Sequence, residues 1–380
     1  MYSPTVGYRN FHPLEHFNFQ LNRWLPFLPE AELFEAAKKI DSLESWNTVM
    51  FRYARQAESE KRYGHASFYY RAAEFFLLNS NPDKDIAYHK FIELFNLASR
   101  DIEFTRIDVP YEDSYLPAII LEPKAEYEDT LVVHGGFDSF VEELFPQLLS
   151  LTEHGFRIIA FEGPGQGLAL KKYKIPMTFA WEKPTSAVLD FFEIKSCSLL
   201  GISLGGYLAT RAAAFEPRIK RVIADDVMED FYDCLAQRLG PGKSRVLSLL
   251  LKFDMKNLTN AVLNQAAKND IVTDWALEQG MHVSGTASVY DYLKWTQKLH
   301  TRDISHRLKQ DYLLLAGKSD HMVPIEQFHR QAASLTNVRS FTGRIFTNQE
   351  HAGSHCQIGN HELATSVMRS WLLATNLTKE

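Results

Sequence analysis

The chain has 380 residues, which at about 150 residues per domain is room for two or three domains or for one large fold with insertions. Charged residues make up 23% and hydrophobic residues 45% of the sequence, and 41 Lys+Arg against 47 Asp+Glu leave a net charge of −6. This balance is typical of a globular protein and argues against both a basic nucleic-acid-binding protein and a disordered acidic tail.

The three cysteines, Cys197, Cys234 and Cys356, are too few and too scattered for a disulfide framework or a CxxC zinc site. Residues 1–19 lack a basic segment followed by an apolar one, so no secretory signal is predicted. No stretch approaches about 18 uninterrupted apolar residues, so no membrane span is predicted either. We therefore expect a cytoplasmic protein.

The first hundred residues are predicted to be helical. Apolar residues recur every three or four positions in residues 42–61, 65–78 and 83–98. Gly64 and the sequence NSNP at 79–82 separate these segments, because Gly, Asn and Pro favour turns.

From residue 101 onward, short apolar strands alternate with helical stretches, which is typical of a mostly parallel, twisted sheet with helices on both faces. The predicted strands are 103–109, 116–121, 131–133, 157–161, 198–202, 221–224, 312–316 and 344–347. Residues 225–305 are mainly helical in pattern and too many for one crossover helix. We therefore predict a helical N-terminal lid segment at 1–100, an α/β core at 101–227 and 301–380, and a helical cap insertion at 228–300.

The sharpest signal for chemistry is the sequence GISLGG at 201–206, a G-x-S-x-G element between a strand and a predicted helix at 207–215. A nucleophile on such a tight turn needs small residues two positions away on each side, because larger side chains would collide with the strand and helix. Ser203 is therefore the predicted nucleophile.

A serine hydroxyl needs a histidine to accept its proton and a carboxylate to orient that histidine. Where the serine sits on this kind of turn, both partners follow it along the chain. Asp320 follows the predicted strand 312–316 after the sequence GKS at 317–319, and it is the predicted acid. Asp225 and Asp226, at the end of the preceding strand, are the alternatives.

Three late histidines, His321, His351 and His355, compete for the role of base, and His355 fits best because a loop at 350–356 follows the last predicted strand. His351 is the serious rival, whereas His329 and His361 lie in helical patterns. The spacing of His351 and His355 is that of a metal-binding helix, but Gly353 and Ser354 break any helix there, so no metal is predicted.

Acyl chemistry also requires hydrogen-bond donors for the developing oxyanion. The backbone N–H of Leu204, directly after the serine, is the first candidate, and the N–H of Gly136 or Phe137, in the glycine-containing loop after a strand, is the second. The sequence EGPGQG at 162–167 follows another strand but lacks the spacing of a phosphate loop, so it is interpreted as a shaped active-site loop.

Together these elements resemble one branch of the α/β-hydrolase superfamily. That branch contains the 2,6-dihydroxypseudooxynicotine hydrolase-like and FrsA-like proteins, and fungal polyketide-processing hydrolases of the chain-shortening, yellowish-green type are similar. The resemblance spans about residues 45–375 and rests on residues 134–136, 162–167, 201–206, 317–320 and, most specifically, the sequence HCQIGN at 355–360.

The resemblance implies an α/β-hydrolase fold with a helical segment over the site, and it favours His355 over His351. It also implies hydrolysis of a carbon–carbon bond in a polyketide-like or β-dicarbonyl substrate, or related acyl transfer. Some members use an additional carboxylate, for which Glu142, Asp226 and Glu229 are candidates, none of them assigned by a motif.

The alternatives are a carboxylesterase or thioesterase, an acyl-enzyme that makes a carbon–carbon bond in a Claisen-type reaction, and a non-catalytic binding protein on a hydrolase fold. Peptidase activity is a further alternative, but no feature of the sequence indicates a peptide substrate. We expect a small acyl or polyketide-like partner, no nucleic acid and no cofactor, and the sequence leaves a homodimer open.

Overall fold

A computed structural model describes residues 5–124 and 129–375. The predicted outer limits at residues 1 and 380 lie outside the described residues. Within them, no helix combines the length and the apolar character needed to cross a lipid bilayer.

The strands and helices alternate through most of the chain after a helical start. The strands are β1 Thr105–Tyr111, β2 Ser114–Leu121, β3 Asp129–His134, β4 Phe156–Phe161, β5 Cys197–Ile202, β6 Ile219–Asp225, β7 Asp311–Gly317 and β8 Ser340–Phe346. The helices are α1 Glu15–Trp24, α2 Glu30–Ala37, α3 Leu43–Ser59, α4 Tyr63–Phe75, α5 Asp83–Ala98, α6 Val141–Glu153, α7 Gly167–Lys171, α8 Glu182–Phe191, α9 Leu204–Ala213, α10 Phe231–Gln237, α11 Pro241–Lys252, α12 Lys256–Asn269, α13 Ile271–Ser284, α14 Val289–Thr296, α15 Ile325–Ser334 and α16 His361–Ala374.

The chain divides into two compact units. The first comprises Met1–Glu103, Ala261–His282 and Ile358–Asn360, and the second comprises Phe104–Asn260, Val283–Gln357 and His361–Glu380. Residues 228–300 thus supply helices to both units. That these residues and the N-terminal helices form a lid or cap stays a prediction.

The first unit is helical and is packed largely through aromatic side chains. Ser42 caps α3 by accepting a hydrogen bond from the N–H of Ser45. Trp46 on α3 is buried and donates from Nε1 to the carbonyl of Ala72 on α4, 2.8 Å away. Its ring lies over Phe17 of α1, with centroids 5.6 Å apart.

In the second unit, the strands form one sheet in the order β1-β2-β4-β3-β5-β6-β7-β8 across the described residues. The pairs from β4 to β8 are parallel, and β1 and β2 join as an antiparallel ribbon at one edge. Strands β3, β5 and β7 are buried throughout their length, as expected where helices cover both faces. The predicted fold, a mostly parallel sheet flanked by helices, is confirmed.

Most predicted boundaries differ from the observed ones by a few residues, and two of the differences lie close to the candidate site or at the sheet edge. The last strand, predicted at 344–347, runs over Ser340–Phe346, because its exposed first half carries no apolar pattern and is held by pairing with β7. The helix predicted at 207–215 begins at Leu204, immediately after the serine, and ends at Ala213.

A buried ion pair lies near the amino-terminal ends of the parallel strands. Arg221 on β6 pairs with Asp129 on β3, and its Nε donates to Ser198 Oγ on β5 at 2.8 Å. The same guanidinium donates to the carbonyl of Leu372 on α16 at 2.6 Å. One side chain therefore links three neighbouring strands to the last helix, and all of its partners are polar groups removed from water.

We expect Arg221→Met to lower the free energy of unfolding by about 3–5 kcal/mol, since it leaves the Asp129 carboxylate buried without its counter-charge. Urea-induced unfolding measures the loss. Lys256→Met, which breaks an exposed pair with Asp291, is the control and should cost about 1 kcal/mol or less. The double variant Arg221→Met/Asp129→Leu should lose less than Arg221→Met alone, and a larger loss would contradict this account.

Candidate active site

Ser203 lies on a strained turn at the carboxyl end of β5. Its backbone has φ 62° and ψ −127°, a conformation that costs a non-glycine residue about 1–3 kcal/mol. The turn is held by the N–H of Ser203, which donates to the carbonyl of Asp225 at 2.8 Å, and by the N–H of Gly206, which donates to the carbonyl of Ser203 at 2.8 Å.

The glycines on each side of the serine fill positions that admit no side chain. A Cβ at Gly201 would overlap the carbonyl of Gly205, and a Cβ at Gly205 would lie 2.6 Å from the carbonyl oxygen of Gly135. The strand, the helix and the loop after β3 are therefore packed backbone against backbone around Ser203.

The three predicted triad residues lie in one hydrogen-bonded series. Ser203 Oγ is 2.8 Å from His355 Nε2, and His355 Nδ1 is 2.6 Å from Asp320 Oδ2. Asp320 lies in the loop after β7, and His355 lies on a short turn between β8 and α16. If Nδ1 carries the proton and donates to Asp320, Nε2 is free to accept the serine hydroxyl proton.

The charges of this series favour an imidazolium. Burial alone lowers the pKa of His355, but the adjoining Asp320 carboxylate more than offsets this and raises the pKa well above the ordinary 6.5. Burial raises the pKa of Asp320, but the His355 charge and the hydrogen bonds from the N–H groups of Met322 and Val323 bring it below 3.8. Asp320 therefore stays ionised while His355 gains a proton.

A second carboxyl group, Asp226, lies beside the same imidazole. Its Oδ2 is 3.3 Å from His355 Nδ1 and accepts the N–H of Cys356 at 2.5 Å, and its Oδ1 accepts the N–H of Gly317 at 3.3 Å. Burial and the Asp320 charge raise the pKa of Asp226 well above 3.8, which favours its neutral form. Sequence reasoning kept Asp226 as an alternative acid, and the structure places both carboxyl groups at one ring nitrogen.

The remaining alternatives lie in other settings. Asp225 is buried at the end of β6, and burial raises its pKa to about 7. His321, next to Asp320, has its pKa lowered to about 4 by burial. His351 and His329 are exposed, and His361 is the first residue of α16.

The loop after β3 brings Gly136 against the serine turn. A Cβ at Gly136 would lie 2.8 Å from the backbone nitrogen of Leu204 and 3.1 Å from Ser203 Cβ. Phe137 follows, half-buried, with its ring centroid 5.6 Å from that of Phe231. The 136–137 segment thus lies against the backbone of Ser203 and Leu204, and the N–H of Gly136 donates to Ser139 Oγ at 3.4 Å. That these N–H groups form an oxyanion hole stays a prediction.

Gln166, which sequence reasoning did not single out, fixes this loop from behind. Its buried side-chain amide donates to the carbonyls of Gly135 at 2.8 Å and Gly136 at 2.9 Å, and its Oε1 accepts the N–H of Gly163. The glycine-rich sequence at 162–167 predicted a shaped loop, but it did not indicate which groups the Gln166 side chain would contact.

Three described residues have the donor atoms and proximity to hold a metal ion: Asp226, His355 and Cys356, with ligand atoms within 4.8 Å of one another. Their present bonding is poorly suited to that role. His355 Nδ1 is bonded to Asp320, and burial raises the pKa of the Cys356 thiol to about 12, so the thiolate form that binds metals is disfavoured.

Four of the ten described non-glycine residues with positive φ lie at or beside the imidazole. Besides Ser203, the non-glycine residues Asp226, Cys356 and Gln357 have positive φ, at 57°, 48° and 50°. Such strain persists only where surrounding contacts over-determine it, and it is typical of functional sites.

The chain is similar to several fungal hydrolases. It is 26% identical to Hydrolase acrC of Aspergillus aculeatus over 422 aligned positions, which cover 95% of this chain and 97% of that protein. It is 27% identical to 20-hydroxy-prefusarin hydrolase FUS2 of Gibberella moniliformis over 345 positions, which cover 82% and 80% of the two chains.

The solved structure of 2,6-dihydroxy-pseudo-oxynicotine hydrolase has the same fold, with a TM-score of 0.69 at 20% identity and coverage of 94% of this chain and 96% of that one. The family model described as the alpha/beta hydrolase family matches residues 130–357, which include β3 through the turn that carries His355. The chain therefore belongs to the alpha/beta hydrolase family.

Proposed function

We propose that this hydrolase uses Ser203 as a nucleophile and forms an acyl-enzyme from a polyketide-like or β-dicarbonyl substrate, whose carbon–carbon bond it hydrolyses. The observation that supports this most directly is the series of hydrogen bonds from Ser203 Oγ through His355 to Asp320. The substrate class rests on the resemblance of this chain to polyketide-processing hydrolases. One similar protein, FUS2, is named as a hydrolase of 20-hydroxy-prefusarin.

In the first half-reaction, His355 Nε2 takes the hydroxyl proton as Ser203 Oγ attacks the substrate carbonyl carbon. The oxyanion that forms is stabilised by the N–H of Leu204 and that of Gly136 or Phe137. When the intermediate collapses, the bond from the carbonyl carbon to the α-carbon breaks, and the leaving enolate takes its proton from the His355 imidazolium. The acyl group is then an ester of Ser203.

In the second half-reaction, His355 deprotonates a water molecule, which attacks the acyl ester. Collapse returns the proton to Ser203 Oγ and releases a carboxylic acid. An ester substrate would follow the same steps with an alcohol as leaving group, and a carbon nucleophile in place of water would give acyl transfer. The choice of substrate is therefore an experimental question that one assay can answer.

The function is tested by incubating the wild type and Ser203→Ala with a short p-nitrophenyl ester and, separately, with a β-diketone. We expect the variant to lose at least about 10⁴-fold of the turnover, because no nucleophile remains on the turn. A serine-directed fluorophosphonate should label the wild type once at Ser203, as read by intact mass. Faster turnover of the diketone than of the ester would support carbon–carbon hydrolysis.

Ser186→Ala is the matched control, since Ser186 is a half-buried serine on α8 whose Oγ donates to Glu216 at 2.6 Å. It should keep both the labelling and the turnover. Equal turnover by the wild type and Ser203→Ala, with labelling of neither, would refute the serine mechanism.

The two carboxyl groups at His355 are expected to differ in importance. Asp320→Asn should lower kcat by about 10⁴-fold, because it removes the ionised partner that sets the imidazole tautomer. Asp226→Asn should lower kcat by about tenfold or less, since its neutral form is already favoured and it acts by positioning the Cys356 backbone. Steady-state kinetics with the preferred substrate measures both.

The pH profile gives a second readout. The imidazole must be uncharged to accept a proton, and its pKa is raised, so kcat/KM should rise with pH through a midpoint above 6.5. Asp320→Asn should move this midpoint down, and Asp226→Asn should leave it above 6.5. The reverse ranking of the two variants would identify Asp226 as the acid of the triad.

Removing the Gln166 amide is expected to slow chemistry more than binding. Gln166→Met keeps the length of the side chain but loses both donors to the oxyanion loop, so kcat should fall by about tenfold to 100-fold with KM little changed. Gln327→Met is the control, because Gln327 is an equally buried glutamine that clamps the backbone of Asp230 instead. Equal losses in kcat from the two variants would show that Gln166 acts only through stability.

A further inference from the structure

Helix α11 is apolar on two opposite faces. Leu247 and Leu251 are buried against the rest of the second unit. On the other side, Val246, Leu249 and Phe253 follow one another at spacings of three and four residues, so they form one line along the helix. Their exposed fractions are 57%, 46% and 68%, and we call this line the α11 apolar stripe.

The stripe is part of a local concentration of exposed apolar side chains. Of the nineteen exposed large hydrophobic residues described, six fall between positions 239 and 258: Leu239, Val246, Leu249, Phe253, Met255 and Leu258. Single exposed apolar residues are ordinary on a protein surface, but a contiguous group marks a surface that binds something.

Charge distinguishes this surface from the rest of the chain. Residues 233–254 contain four cations, Arg238, Lys243, Arg245 and Lys252, and two acids, Asp233 and Asp254, whereas the whole chain carries −6. Both acids are already paired, Asp233 with Arg330 and Asp254 with Lys294. No ion pair joins any of these four cations to a carboxylate in the part of the chain that the structure describes. On a helical wheel Arg245 and Lys252 flank one side of the α11 apolar stripe and Lys243 the other.

We propose that the α11 apolar stripe and its flanking cations dock this protein reversibly on an anionic lipid surface. An aliphatic and aromatic line bordered on both sides by Lys and Arg is the pattern of a helix that lies in the membrane interface. The long basic side chains reach the headgroups while Val246, Leu249 and Phe253 enter the acyl boundary. Lys243, Arg245 and Lys252, which flank the stripe, form no ion pair with a carboxylate in the described chain, and an anionic bilayer supplies their counter-charge along the whole line.

Vesicle sedimentation tests the proposal on the full-length chain. We expect the wild type to sediment with phosphatidylcholine vesicles that contain phosphatidylserine, to bind pure phosphatidylcholine vesicles more weakly, and to lose binding as salt is raised. Leu249→Ser/Phe253→Ser should reduce partitioning by at least about tenfold. Lys243→Gln/Arg245→Gln/Lys252→Gln should reduce it by at least about tenfold and remove the salt dependence.

Ile86→Ser is the matched control, because Ile86 on α5 is 56% exposed and lies outside the stripe; it should bind like the wild type. Circular dichroism of each variant confirms that it is folded, and the binding measurement uses no turnover, so it does not depend on the proposed function. Failure of the wild type to sediment with anionic vesicles would overturn the proposal, as would an equal loss in Ile86→Ser. Dimers that light scattering detects in the wild type but not in Leu249→Ser/Phe253→Ser would also overturn it, because a second copy would then cover the stripe.

Discussion

The left-handed turn at Ser203 is the constraint around which the second unit is organised. A positive φ at a residue with a side chain is unfavourable, and it is kept here because backbone groups from three directions hold it. Helix α9 begins at the next residue, and the loop after β3 passes so close that Gly205 and Gly135 meet without side chains. Any enlargement of this turn would displace Ser203 and the neighbouring backbone of Leu204 and Gly136 together.

The polar groups near this turn form a connected network and not a set of separate contacts. Asp226 accepts the backbone N–H groups of Gly317 and Cys356, so it ties the loop after β7 to the turn that carries His355. Gln166 performs the same kind of task on the other side, where it holds the loop after β3. Ser203, His355, Asp320, Asp226 and Gln166 are all hydrogen-bonded, which fixes their relative positions. Nearby, His134 Nε2, Asp225 Oδ1 and the side-chain amide of Gln357 are buried without a hydrogen-bond partner among the described residues.

The sequence was most informative where local chemistry determines local structure. Gly201 and Gly205 predicted the turn, and the apolar runs predicted the buried strands. Both predictions succeeded because turn formation and strand burial depend on residues only a few positions apart. The first half of β8 was missed because an exposed edge strand is specified by its neighbour β7 and not by its own pattern. The Gln166 clamp and the second carboxyl at His355 depend on contacts between residues 30 to 130 positions apart, which no single-chain spacing reveals.

The separation of Ser203 and His355 by 152 positions also bears on how the protein is made. Contacts between distant parts of a chain form late, because closing the long intervening loop lowers the chain's conformational entropy before the contacts can stabilise the structure. During synthesis, the histidine leaves the ribosome long after β5 and α9, and its turn must then be placed beside β7 before the hydroxyl gains an acceptor. The Ser203 hydroxyl thus has no histidine acceptor in any nascent chain that ends before residue 355.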